Sequence, residues 1–341
     1  MRSRAVPLRL PSRPMSARTR VLVVVALAAA AVVAGVVGVT LLQTRGEHTT
    51  VPGAVTAPRK GAPPLELDFG VRTDPEARAL ARAANLYNHG HRAQAAPIFA
   101  RYHSLEAEIG AAFSGWPGHA LDDLERIVSA HPRSALAELH LGWAYLWSGR
   151  NADAAAAWKR AIQVQPDSPA AVDADTVLHY PAMAQGLPYI VSPLSPSPAV
   201  AKLPAAQQLA ALARGAARPD ANAKLLYGLA LWHLERPISA ERQFRRAAAL
   251  APHDPLAQTL AAVGSFSKDR PVTAFARLGP LTGVFPKAAV VRFHLGLLLI
   301  WTRQVKKGEQ QLRIAIADNP KSVYAKQARL LLAEIAKNGT R

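Results

Sequence analysis

Histidine is the side chain best suited to proton transfer or metal ligation near neutral pH, and this chain carries 11 of them among 341 residues. They are scattered, mostly at predicted helix ends or turns, and only His89-Gly90-His91 forms a close pair. With no third ligand nearby, that pair reads as a polar turn and no metal site is assigned. Asp122 and Asp123 are adjacent at an expected helix start, where acids suit the helix dipole. A phosphate-cradling glycine loop, an HExxH pair and a G-x-S-x-G elbow are all missing. The absence of cysteine removes disulfides, thiolate metal sites, a cysteine nucleophile and a lipoprotein-type anchor together. No catalytic residue and no cofactor follows, so the chain reads as something other than an enzyme. An unrecognised envelope hydrolase stays as an alternative, since triads are assembled in space.

The elements behind these residues are helical. Half of the sequence is apolar, only 6% is aromatic, and Ala, Leu and Arg dominate, a mix that favours helices packed through small side chains. The net charge of +18 includes six arginines that precede the first hydrophobic run, which leaves +12 for the remainder. That excess attracts anionic surfaces over about 8–10 Å in ordinary salt.

Residues 21–42 form an uncharged run of 22 residues, long enough as a helix to cross a hydrocarbon core. A transmembrane helix is expected, with a cleaved signal peptide as the alternative. The arginines in the basic tail 1–20 place the N-terminus in the cytoplasm and the bulk of the chain outside it. Residues 43–69 are rich in Pro and Gly without periodicity and read as a linker holding the next domain clear of the membrane.

Residues 70–338 read as a repeat domain, within which the sequence recurs at a period of 34 residues on either side of an interruption. Pro252, Pro286 and Pro320 keep this spacing, as do Pro132 and Pro166. Before three of them lies one pattern: Gly142, Ala154, Trp158, Ala161, Pro166; then Gly228, Ala240, Phe244, Ala247, Pro252; then Gly296, Gly308, Leu312, Ala315, Pro320. The physical reading is antiparallel helix pairs, with a glycine in each first helix where the partner approaches and a large residue on each second helix. Proline then ends the unit. An earlier hairpin turns at Asn88-His89-Gly90, out of register with the next, so a helix is expected to be shared or fused around residues 101–112. A solvated capping helix is expected at the end, with Tyr324, Ala328, Leu331 and Ile335 on its inner face.

At these residues the chain resembles the tetratricopeptide repeat family, most fully over residues 141–166. Leu231 and Leu299 depart from the family Tyr, and Glu235 and Arg303 from its turn Gly. The resemblance implies an all-α, right-handed superhelical solenoid of six or seven hairpins. It also implies that first helices line the concave, ligand-binding side. Carried over, the partner-binding residues are Leu139, Trp143, Leu146 and Trp147, then Leu225, Leu229 and Trp232, then Phe293, Leu297 and Trp301. These either line an exposed apolar groove for a protein or peptide partner or pack between neighbouring helices.

A Pro-rich insertion at about 179–204 interrupts the array. It is either a tolerated surface loop or a segment whose Leu187, Tyr189 and Ile190 pack on the solenoid or gate its groove. Lys159, Arg160, Arg242, Arg245, Arg246, Lys306, Lys307 and Arg313 fall on second helices, as a solvated face or as a patch for anionic lipid or wall polymer. Nucleic acid is disfavoured by the expected topology. The functional expectation is a membrane-tethered scaffold or adaptor in secretion or envelope assembly, with a basic-surface tether for envelope polymers as the alternative.

Overall fold

The computed structural model describes residues 57–180 and 182–339. The expected basic tail, the transmembrane helix and the first part of the linker, residues 43–56, lie outside the described residues. Among those described there are sixteen helices and no strand, and no helix is long and apolar enough to cross a membrane.

Six helix pairs form the hairpins. They are α1 (Pro75–Asn88) with α2 (Arg92–Phe99), α3 (Leu105–Ser114) with α4 (Ala120–Ala130), and α5 (Ala135–Trp147) with α6 (Asn151–Val164). The second set follows α7 (Pro169–His179), the single turn α8 (Pro198–Ala201) and α9 (Ala205–Ala216). It comprises α10 (Ala221–His233) with α11 (Pro237–Leu250), α12 (Pro255–Gly264) with α13 (Val272–Val284), and α14 (Ala289–Trp301) with α15 (Val305–Asp318), closed by α16 (Val323–Gly339). No helix is shared between the first two units. Pro97 lies within the short α2, and residues 100–104 separate it from α3.

The repeat glycines sit where the pattern requires them. A Cβ built on Gly142 would lie 2.3 Å from the Trp158 indole nitrogen, and one on Gly228 would lie 2.6 Å from the Phe244 ring. Phe244 is gripped from two sides, because a Cβ on Gly264 of the next hairpin would meet the same ring at 2.9 Å. On α14 the approach is backbone to backbone, with Gly296 and Gly308 each facing the other's carbonyl oxygen. Each glycine gives up about 0.5–1 kcal/mol of helix propensity relative to Ala. The buried ring or close contact it admits offsets that loss.

Second helices stop one or two residues before the repeat prolines. His131, Gln165, Ala251, Phe285 and Asn319, each directly before a proline, leave helical geometry with ψ between 59° and 85°. In four of the six hairpins the chain turns between the helices through a left-handed residue: Gly90, Gly149, Glu235 and Arg303 all have positive φ. Glu235 and Arg303 adopt it without glycine's freedom, at a cost of about 1 kcal/mol.

First helices lie side by side in two rows, α1–α3–α5–α7 and α10–α12–α14–α16. None of the extensive helix pairings crosses from one row to the other, and the hydrophobic core divides in the same way. Each half is a lobe of three hairpins and a closing helix. The joint between them is polar. Asp167, in the loop before α7, accepts the backbone N–H groups of Ile238 and Ser239 at 2.9 and 3.1 Å and the Ser239 hydroxyl at 2.6 Å. It thereby caps α11 of the other lobe, whose own cap residue Arg236 has no side-chain capping bond. Arg236 in turn donates to the Asp167 carbonyl and reaches Asp68 at 3.4 Å. A second polar cluster joins Lys268 to Thr176 at 2.7 Å and to Asp175 at 3.7 Å, and His179 to Asp269 at 3.0 Å.

Candidate functional site: two faces that each hold an extended segment

The first helices of both lobes carry the residues expected to line a groove. Leu139, Trp143, Leu225, Leu229, Trp232, Phe293, Leu297 and Trp301 are buried, while Leu146 and Trp147 are half-buried. Part of that burial is packing between helices: Trp143 meets Trp158 edge-on at 5.1 Å, and Trp232 lies 6.2 Å from Phe244. The rest comes from the chain itself. Two extended, proline-containing segments fold back onto these faces.

In the first lobe the occupant is the described end of the expected linker. Residues 57–69 are docked, because Pro63 and Leu65 are buried and the segment meets both α1 and α5. The Tyr87 hydroxyl donates to the Pro63 carbonyl at 2.9 Å. The Asn88 amide pairs with both backbone groups of Leu65, at 3.0 and 2.8 Å. The Glu66 backbone N–H donates to His140 Nε2 at 3.2 Å. At the open end Arg59 donates its N–H to the Trp147 carbonyl at 2.8 Å and lays its guanidinium over the Trp147 ring.

In the second lobe the occupant is the Pro-rich insertion. Of its two readings, the structure has the one in which Ile190 is buried and Leu187 and Tyr189 pack against the core. Trp232 Nε1 donates to the Pro188 carbonyl at 2.9 Å. The Val191 backbone N–H donates to His294 Nε2 at 3.1 Å.

The two arrangements correspond residue for residue. Pro63, Leu65 and Glu66 match Pro188, Ile190 and Val191 at a constant offset of 125. Leu80 and Tyr87 of α1 match Leu225 and Trp232 of α10, and His140 and Trp147 of α5 match His294 and Trp301 of α14. Both histidines are fully buried, and each Nδ1–H donates to the carbonyl four residues back, at 2.7 Å to Leu136 and 2.8 Å to Val290. That bond fixes the tautomer and leaves Nε2 as an acceptor aimed at the segment. Burial, opposed by the bond to the carbonyl, lowers both imidazoles to about 4, so they are neutral at physiological pH.

These clamp histidines escape the search for metal or catalytic groupings, because each acts singly. The signal is nevertheless in the sequence: His-Leu-Gly recurs at 140–142 and 294–296, five residues before Trp147 and Trp301. His89 and His91, the one close pair, stand at a turn, where His89 Nδ1 donates to the Asn85 carbonyl at 2.8 Å. Among the described residues the grouping with metal-ligand spacing is Asp175, His179 and Asp269 at the joint. The buried Lys268 ammonium stands beside it, with its pKa lowered by burial and that of Asp175 raised for the same reason.

No protein-family model and no curated protein matches the sequence. Solved structures that align with the chain are tetratricopeptide repeat proteins. YrrB, described as a TPR protein with an unusual peptide-binding site, shares 14% identity over 75% of this chain and 98% of its own, with a TM-score of 0.27. The TPR2AB domain of yeast Sti1, solved with pHSP90, shares 13% over 77% and 98%, with a TM-score of 0.30. A tetratricopeptide repeat protein from Parabacteroides merdae shares 12% over 75% and 98%, also at 0.30. This chain is similar to them. At such TM-scores the likeness adds no argument of its own, and the hairpins stand on the helices and glycines described above.

Proposed function

We propose that the protein is a non-enzymatic interaction scaffold that binds protein partners as extended segments on the first-helix faces of its two lobes. The observation that carries this reading is the gripping of two segments, far apart in the sequence, through their backbones by equivalent aromatic and histidine side chains. Backbone recognition of this kind holds an extended chain with little regard to most of its side chains. In the same proposal, residues 21–42 anchor the scaffold in a membrane with the lobes on the extracytoplasmic side, where secretion or envelope assembly would supply partners.

The test is to pan a peptide-display library on the full chain and on Trp147→Ala. Trp147 is half-buried, so its truncation leaves the hairpins standing. Selection of peptides by the wild type and their loss on Trp147→Ala supports the proposal. An empty selection, or one indifferent to Trp147, counts against it. Trp301, by contrast, is too deeply buried for such a test. A second reading, a tether for anionic polymers, draws on the exposure of Arg242, Arg245, Arg246, Lys306 and Lys307 on α11 and α15. It predicts polyanion binding that weakens steeply with salt and with neutralisation of Arg245 and Arg246.

A further inference from the structure

We infer that both faces recognise one ligand class, an extended segment in the order proline, any residue, then leucine or isoleucine, and that the chain's own segments are exchangeable occupants of those sites. The inference rests on the scaffold reading and narrows it. The two occupants serve as a comparison already carried out by the molecule. Between them the residue after the proline changes from Pro64 to Tyr189, and the residue after the aliphatic changes from Glu66 to Val191. The two sites therefore hold different side chains at those two places, exposed Glu66 in one and buried Val191 in the other, with Tyr189 packed on the second core.

Three features persist. The proline carbonyl accepts from a ring donor at the end of the lobe's first helix, Tyr87 Oη or Trp232 Nε1, each at 2.9 Å. The aliphatic side chain two residues on is almost fully buried in a shared apolar setting: Leu65 lies in the core that contains Leu80, Tyr87 and Leu139, and Ile190 in the one that contains Leu225, Trp232 and Phe293. The next backbone N–H meets a neutral imidazole, His140 or His294. Proline favours an extended entry, which lowers the ordering cost of the ligand. The aliphatic supplies most of the affinity by burial. The imidazole acceptor rejects a proline at the following place, because proline has no N–H to donate.

The first-lobe site is the more accessible to exchange. Its occupant is exposed from residue 57 to 61, and its grip within the lobe depends on Pro63, Leu65 and Glu66 with Arg59 at the margin. Loss of the one deeply buried side chain should free it.

The experiment measures fluorescence anisotropy of a labelled peptide spanning residues 61–70 added to the full chain, with far-ultraviolet circular dichroism as the fold control. Leu65→Asp empties the site and should raise peptide affinity at least about tenfold over wild type, the factor expected from removing a buried leucine as internal competitor. A peptide spanning residues 186–195 should bind the emptied site as well, and adding Tyr87→Phe should weaken both peptides several-fold. The same peptide with Asp in place of Leu65 should not bind. Equal binding of that Asp-bearing peptide overturns the ligand class while leaving the scaffold reading in place. Failure of a folded Leu65→Asp chain to bind either peptide overturns exchangeability, and the library selection then decides independently whether the scaffold reading also falls. Should Leu65→Asp not fold, Glu66→Pro removes the N–H bonded to His140 with Leu65 intact, and should give the same gain in peptide binding on a smaller scale. A folded Glu66→Pro chain with no gain overturns the proposal.

Discussion

His294 Nε2 accepts the backbone N–H of Val191 at 3.1 Å across 103 residues of sequence, and His140 repeats this bond with Glu66 at 3.2 Å in the other lobe. Each imidazole sits mid-helix on the last hairpin of its lobe. Its second nitrogen is committed to its own helix, so nothing but the ring's free lone pair faces the segment.

Acid should therefore loosen both lobes. The folded imidazoles titrate at about 4 and an unfolded histidine at about 6.5, so the unfolded chain takes up protons first as pH falls. The stability contributed by the neutral rings is complete above about 6.5 and is lost progressively toward 4, on the order of 1–3 kcal/mol for each. Burial lowers His233 as well, and it adds in the same direction. Melting midpoints at pH 7.5 and pH 5 should show the drop, and the double variant His140→Gln, His294→Gln should flatten it.

Glycine positions should separate into two classes. Gly142→Ala places a methyl group against the Trp158 indole and should destabilise by about 1–3 kcal/mol through overpacking. Gly283→Ala, in the last turn of α13 with nothing within 4 Å of the added carbon, should stabilise by about 0.5–1 kcal/mol. Denaturant midpoints of the two variants should move in opposite directions.

The repeat glycines, Gly142 and Gly228 among them, are the most legible part of the fold. A glycine in a first helix with Trp158 or Phe244 sixteen residues on repeats because backbone approach and ring volume must match, and such constraints leave a period in the sequence. The polar joint leaves none, since Asp167 caps α11 across 71 residues without any local pattern. The docking of residues 57–69 is not legible in the sequence, and that of the insertion is legible only as one of two readings, for a related reason. Each segment is held largely by its backbone and buries few side chains, among them Pro63 and Leu65 in one and Ile190 and Val191 in the other, so Pro-rich composition reads as a linker or a loop. The residues expected to face a partner follow from helix position, but their cover by the chain itself is a tertiary event that periodicity does not encode.

Asp167 should act as the fastener between lobes. Asp167→Ala removes the cap of α11 along with the Ser239 hydroxyl bond, and should cost about 1–2 kcal/mol. Because the cores are separate, differential scanning calorimetry should then resolve two transitions, where the wild type gives closer or merged ones.

The most direct measurement is amide hydrogen exchange at Glu66 and Val191, read by NMR in the wild type and in His140→Phe and His294→Phe. The account predicts that both amides are protected although they lie outside any helix, that His140→Phe releases Glu66 alone, and that His294→Phe releases Val191 alone. Exchange of both wild-type amides at the rate of a free peptide would contradict it.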